Sequence, residues 1–414
     1  MNYFYEKKGE VFCESVALSK LASEFGTPLY VYSLAALQDH CQQYKTSFDS
    51  FPTEICYAVK ANDNASILKE IFSLGFGADV VSQGELEKVL KVGLRATQVV
   101  YSGVGKSQRE IERAVEVGVG VINVESVSEL KLIQKVAQSK GRIVSINLRV
   151  NPNIDVKTNP YIATGLYQTK FGIADEALDE LVPLLQNSSS VVLEGFACHI
   201  GSQILELKSF EQASLRILEI VQSFKSKGFP IQRVDMGGGL GIAYREGEVS
   251  PPISEYGKVM REHFKSTGLK LYLEPGRSII GNAGVLLTEV IHTKVNREKH
   301  FTIVDAAMND LIRPSLYDAY HSMGHVRTKN GPDCITDIVG PVCETGDFLG
   351  LGRTMVEPIP GDLLFIRSAG AYGFSMASNY NQRPRPAEVM VSDHKFWLIR
   401  KRESFETLWQ QETL

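Results

Sequence analysis

The sequence predicts a (β/α)8 TIM-type barrel joined to a second, mainly antiparallel β domain, and three observations carry that prediction. Eight short apolar runs fall along the first two-thirds of the chain, helical segments alternate with them, and beyond about residue 280 the text turns β-rich. Strands alternating with helices build parallel βα units, and eight such units close a barrel of about 250 residues. The 414-residue chain leaves room for a further domain. The expected barrel covers residues 20–280, and the β domain takes 281–414 together with an N-terminal strand from 1–19.

The runs close at Lys60 in ICYAVK, Asp79 in GADVVS, Ser102 in VVYSG, Glu125 in VINVES, Arg149 in VSINLRV, His199 in FACHIGSQ, Gly237 in RVDMGGG and Glu274 in LYLEPGR. Barrels of this type keep their active site at the C-terminal ends of the strands, so these residues should converge on one mouth. Between the runs, SQGELEKVLKVG, SQREIERAVEVG and SVSELKLIQKVAQSKG each begin at Ser, carry an early Glu and end at Gly, the capping pattern of helices. The stretch 151–192 is longer. Its NPNIDVKTNPYIATG segment reads as a loop over the mouth, followed by the helix DEALDELVPLLQ. After the eighth run, VLLTEVIHTKV, HFTIVDAA, CITDIVG, TMVEPI, DLLFIRSA and EVMVSDHKFWLIRK alternate with turns, and the initial YFYEKKGEVFCESV is strand-like too.

Composition excludes several classes. The formal net charge is −4, from interspersed charges without a basic run, so nucleic acid is not an expected partner. No apolar stretch approaches the roughly 20 residues of a bilayer span, and the N-terminus lacks a basic region followed by an apolar one, which predicts a cytoplasmic protein with no membrane contact. Cysteines 13, 41, 56, 198, 334 and 343 are scattered without a CxxC pair or ligand spacing, so neither a disulfide framework nor a metal site is expected.

The candidate residues each admit a functional and a plain reading. Lys60, ending an apolar strand, is a candidate amine for attack on an aldehyde if desolvated, or a solvated strand-end lysine. Gly237, Gly238 and Gly239 free the backbone to approach a phosphate, or merely turn the chain. Glu274 can hold a pyridine nitrogen protonated and Arg277 can clamp a carboxylate, or the two form a surface pair. His199 can stack on a flat ring or sit as a core histidine, and Ser202 can bond a cofactor or cap a helix. Arg313 and Tyr317, four residues apart, share a face if their segment is one helical turn, though surface polarity also explains them. Cys343 is a candidate proton donor with Glu344 as an ammonium ligand, or else a small buried cysteine. A lysine, a glycine triplet and a carboxylate at one mouth suit a phosphorylated aldehyde cofactor.

Through YAVKAN, TGLYQTKFGI, CHIGSQ, DMGGGLG, EPGR, IRPSLY, GPVCETGD and AGAYGFSMASNYNQRPRPAEV the chain resembles the fold-type III pyridoxal-phosphate-dependent decarboxylases, end to end, and within them the branch acting on diaminopimelate. The resemblance implies pyridoxal 5'-phosphate as cofactor and decarboxylation of meso-2,6-diaminopimelate to L-lysine and CO2. It implies attachment of the cofactor at Lys60, stacking by His199, and Glu274 at the pyridine nitrogen. Phosphate contacts fall to Gly238, Gly239, Gly276, Arg277 and Tyr372, with Ser202 and Asp79 as further cofactor contacts. The substrate falls to Arg277, Arg313, Tyr317, Glu344 and Tyr372, and Cys343 becomes the proton donor. It further implies a homodimer in which the CETGD segment completes the partner's site. Two departures are Asn159, where a His commonly precedes PYI, and YSGVGKS, where a His-Gly-Asn-Asn-Lys run is common. A decarboxylase for ornithine, lysine or arginine would share the cofactor residues, and a cofactor-free regulatory protein would share the shape. Arg313, Tyr317 and Glu344 favour recognition of a distal amino acid group, and Glu274 disfavours racemase-like chemistry.

Overall fold

The computed structural model describes residues 3–154 and 169–413. Two compact units divide them: Cys41–Ile242 with Ser250–Ser278 form one, and the residues up to His40, Ala243–Val249 and those from Ile279 onward form the other.

The first unit is the expected barrel. Its strands are β1 (Thr53–Ala58), β2 (Gly77–Val80), β3 (Val99–Tyr101), β4 (Val121–Val124), β5 (Val144–Arg149), β6 (Val191–Ala197), β7 (Arg233–Asp235) and β8 (Lys270–Leu273). All neighbours pair in parallel, and β8 returns to β1 through Leu271 opposite Thr53, closing the cylinder. The helix starts follow the capping signals: Ser82, Ser107 and Ser126 accept the backbone N–H groups of Glu85, Glu110 and Glu129, and Ser107 with Glu110 completes a capping box. Gly93 and Gly118 end two of these helices in the left-handed conformation. DEALDELVPLLQ is the helix Asp175–Gln186, whereas the mouth loop expected before it, with Asn159, lies largely outside the described residues. Apolar side chains such as Leu86, Ile111 and Ile133 seal the helices against the strands, and Phe196 meets Phe224 edge to face at 4.9 Å.

The second unit is built on a nine-stranded sheet. Its long strand Gly284–Asn296 pairs antiparallel with Leu29–Ser33, Leu363–Ile366 and Lys299–Val304. Two junctions are parallel, Leu29–Ser33 with Ala387–Ser392 and Lys299–Val304 with Asp333–Val339; the remaining junctions are antiparallel. The N-terminal strands Phe4–Lys7, Glu10–Cys13 and Val16–Ala17 make a small sheet of their own in this unit. The sequence placed the first boundary at residue 19, but the chain changes unit after His40, because Leu29–Ser33 is a fully buried strand whose partners lie more than 250 residues downstream.

Candidate active site

The eight strand ends bring Lys60, Asp79, His199, Ser202, Gly238, Gly239, Glu274, Gly276 and Arg277 into the barrel unit. A pocket of about 410 Å³ is lined by Lys60, Arg149, His199, Glu274 and the turn from Ser102 to Gly105. Lys60 follows β1 in the short turn Val59–Ala61, and its Nζ donates to Asp79 Oδ2 at 2.8 Å. The lysine side chain is 38 % exposed and Asp79 is fully buried, so Lys60 is an ion-paired amine reaching into the pocket, more open than a desolvated strand-end lysine would be. Asp79 Oδ1 is buried without a hydrogen-bond partner among the described residues.

Glu274 follows β8 with a buried carboxyl group, and its Oε1 accepts from Ser102 Oγ at 3.3 Å and Asn123 Nδ2 at 3.4 Å. Burial, with Asp235 and Asp79 nearby, pushes it well above the usual carboxylate range. A cation or protonated ring nitrogen arriving there would offset both causes. His199 Nδ1 accepts the backbone N–H of Gly238 at 3.2 Å, which fixes a neutral ring with the proton on Nε2. Burial, followed by the charges of Arg149 and Lys60, holds this imidazole well below its ordinary pKa.

The glycine loop after β7 is shaped by close approach. A Cβ on Gly238 would stand 2.3 Å from the Glu274 carbonyl oxygen, and one on Gly239, at φ +111°, 2.5 Å from the Gly201 carbonyl oxygen. Only glycine fits either position. A Cβ on Gly276 would come within 2.9 Å of Ala61 Cβ, which packs the Glu274 turn onto the Lys60 turn. Arg277 is buried and donates to Ser202 Oγ at 3.0 Å, so Ser202 is engaged with the arginine rather than capping a helix.

Three site residues carried no assigned role in the sequence reading. Arg149 pairs with Glu125 at 2.5 Å and lies over the Phe171 ring at 4.8 Å, while Glu125 also accepts the Gly172 N–H at 2.8 Å. Asp235 accepts the Gly237 N–H at 2.8 Å, linking the glycine loop to the Glu274 carboxyl. Their signal was position, since each stands at or beside the end of a barrel strand.

The remaining candidates belong to the β-rich unit. Arg313–Tyr317 is one helical turn, with Arg313 buried, its Nη1 2.8 Å from His321 Nε2 and its guanidinium 4.6 Å from the Tyr244 ring centroid. Cys343 and Glu344 are exposed on a turn, which removes the buried-cysteine reading. Asp347 pins that turn by accepting the backbone N–H groups of Val342 and Met308, and the Cys343 N–H donates to Asn381 Oδ1 at 2.9 Å. Tyr372 is half-buried with φ at +55°, a left-handed conformation unusual for a tyrosine.

Residues 34–281 match the family described as pyridoxal-dependent decarboxylase, pyridoxal binding domain. The chain is also 50 % identical to a diaminopimelate decarboxylase of Neisseria meningitidis serogroup A, over 96 % of this chain and 97 % of that one. It belongs to the diaminopimelate decarboxylase family. The family member of Vibrio cholerae is 47 % identical across 100 % of this chain and 99 % of its own. Among solved structures of the family, the Helicobacter pylori enzyme complexed with L-lysine superimposes with a TM-score of 0.91 at 41 % identity, covering 95 % of this chain and 98 % of that one. The diaminopimelate decarboxylase from M. jannaschii, in co-complex with L-lysine, gives 0.94 at 34 % identity, over 100 % of this chain and 98 % of that one.

Proposed function

We propose that this protein decarboxylates meso-2,6-diaminopimelate to L-lysine and CO2 with pyridoxal 5'-phosphate, as the final step of lysine biosynthesis, in the cytoplasm. The observation that carries the cofactor assignment is the barrel-end cluster: an amine at Lys60, the buried Glu274 carboxyl group and a glycine loop with no room for a Cβ. The substrate assignment rests on similarity to the diaminopimelate decarboxylases along essentially the whole chain.

Lys60 Nζ would hold the cofactor aldehyde, with the Asp79 carboxylate keeping the amine in place. The backbone of Gly238, Gly239 and Gly276 with Arg277, Ser202 and the Tyr372 hydroxyl would hold its phosphate. Glu274 would face the ring nitrogen, and its tendency to retain a proton suits it to share one there. His199, fixed in its neutral form, would present a ring face. The bound cofactor supplies an electron sink for the pair left at Cα when CO2 departs. Arg277 would orient the carboxylate that leaves, and Arg313, Tyr317, Glu344 and Tyr372 would bind the substrate's other polar groups. Cys343 Sγ would be the proton donor to Cα, and Lys60 Nζ, held beside Asp79, would be the amine that carries the cofactor between turnovers. Cys343 and Glu344 would come from the second subunit of a homodimer, a role their exposed turn suits.

The test offers the cofactor-loaded protein meso-diaminopimelate, L-ornithine, L-lysine and L-arginine separately, following CO2 and the amine product. Lysine from diaminopimelate alone is expected; CO2 from one of the basic amino acids instead would overturn the substrate assignment. Lys60→Ala should abolish both turnover and the visible absorbance of the attached cofactor, and retained turnover would sink the scheme.

A further inference from the structure

The β-rich unit holds a pocket of its own, of about 500 Å³, bordered by the strand Phe348–Val356 and the turn Arg313–Tyr317. In it, two arginines flank one aromatic ring. The guanidinium carbons of Arg353 and Arg245 lie 3.7 Å and 4.1 Å from the Tyr320 ring centroid, and two groups so close to one centroid fit only on opposite faces. Neither guanidinium makes a hydrogen bond or ion pair with a described residue, and Arg353 Nε is buried without a partner. Asp318 also lines the pocket and pairs with neither. Elsewhere in this unit guanidiniums in comparable surroundings are paired, Arg385 with Glu403 and Arg400 with Glu388.

Burying the Arg353 Nε donor without an acceptor costs desolvation, and holding a second cation across the ring from it adds repulsion. Burial draws Arg353 below the ordinary arginine value, and Arg245 adds to that effect against the opposing influence of Tyr320. Both penalties vanish when an anion with several acceptor oxygens reaches the two forks together. With 3.7 Å and 4.1 Å to the Tyr320 centroid on either face, the guanidinium carbons stand about 8 Å apart with the ring between them, a gap that an anion of two linked phosphoryl groups can span past the ring edge more readily than a single one.

We propose that this pocket binds a diphosphate group through Arg245 and Arg353 beside Tyr320. The site is not isolated within its unit. Tyr244, the neighbour of Arg245, supports Arg313 through its ring, and His321, the neighbour of Tyr320, packs edge-on to Tyr244 at 5.0 Å and contacts Arg313. An occupant would therefore bear, one peptide step away, on the residues that hold Arg313.

The test is calorimetric titration of the full-length protein, saturated with pyridoxal phosphate so that its phosphate cradle is filled, with inorganic pyrophosphate, ADP and orthophosphate at constant ionic strength. Pyrophosphate should bind once per chain with Kd below about 1 mM, and orthophosphate at least about tenfold more weakly. ADP binding as tightly as pyrophosphate would identify a nucleotide as the source of the group, and its failure to bind would identify free pyrophosphate. Arg245 is exposed, so Arg245→Gln should fold normally while weakening pyrophosphate at least about tenfold, with Arg353→Gln doing the same. No binding of pyrophosphate at millimolar concentration would overturn the proposal, as would affinity unchanged in both variants. Loss of self-association in Arg245→Gln, without anion binding in the parent, would assign the arginines to a second copy's carboxylates and overturn it equally.

Discussion

Glu274 concentrates the chemistry of the barrel end in one carboxyl group. It stands among Asp235, Asp79, Ser102 and Asn123, and its position makes sense only opposite a group that wants a negative or shared-proton partner. Glu274→Gln keeps the shape and removes that partner. The expected result is a cofactor that still binds, with kcat lowered by about 10²-fold or more, read by absorbance titration beside CO2 release. A second buried carboxyl, Glu85, sets a pH dependence of stability. Burial pushes it from 4.5 to about 7 although it accepts the Val81 N–H at 2.7 Å. Because its folded value is the higher one, its contribution is fully present below about 4.5 and is lost as pH climbs through about 7. Thermal unfolding of the parent should therefore fall more between pH 5 and 7 than that of Glu85→Gln, and parallel curves would dismiss the assignment. Residues at strand ends were legible because barrel geometry gives that address a meaning. The neutral state of His199 was not, since it depends on a Gly238 amide 39 residues away in sequence.

At the level of elements, the loop after β7 is the part least tolerant of change. Gly239→Ala must place a methyl group against the Gly201 carbonyl oxygen in a backbone conformation that alanine rarely adopts. A loss of about 1–3 kcal/mol is expected from strain and displacement, with cofactor affinity falling at the same time. Denaturant unfolding and cofactor titration of the variant read both; an unchanged cofactor affinity would show that this loop does not hold the phosphate. The helices were readable in detail because capping is local chemistry, as at Ser107 and Glu110, where serine and glutamate satisfy each other's neighbours three residues apart. Leu29–Ser33 was missed for the converse reason. Every residue of it is buried, so it shows no alternation, and its identity lies in partners at Gly284–Leu287 and Ala387–Val391 that no local window contains.

At the level of the whole molecule, the chain contributes two differently built units, and its chemical residues are divided between them: Lys60 and Glu274 in the barrel, Cys343 and Glu344 on an exposed turn of the β-rich unit. An exposed thiol on a turn held rigid by Asp347 is poorly placed to be a packing residue and well placed to be presented to something else. If that something is a second copy, each active site takes its lysine from one chain and its cysteine from the other. Lys60→Ala and Cys343→Ala homodimers would then both be inactive, yet a mixed dimer contains one intact site and one doubly defective site. Random reassortment of equal amounts puts half of the chains in mixed dimers, each with half of its sites working, so roughly a quarter of the parent activity should return. The measurement is CO2 release before and after co-refolding or prolonged mixing of the two variants, with sedimentation confirming exchange. Continued inactivity in a sample that has demonstrably exchanged would mean that lysine and cysteine act from the same chain, and the homodimer would lose its catalytic rationale.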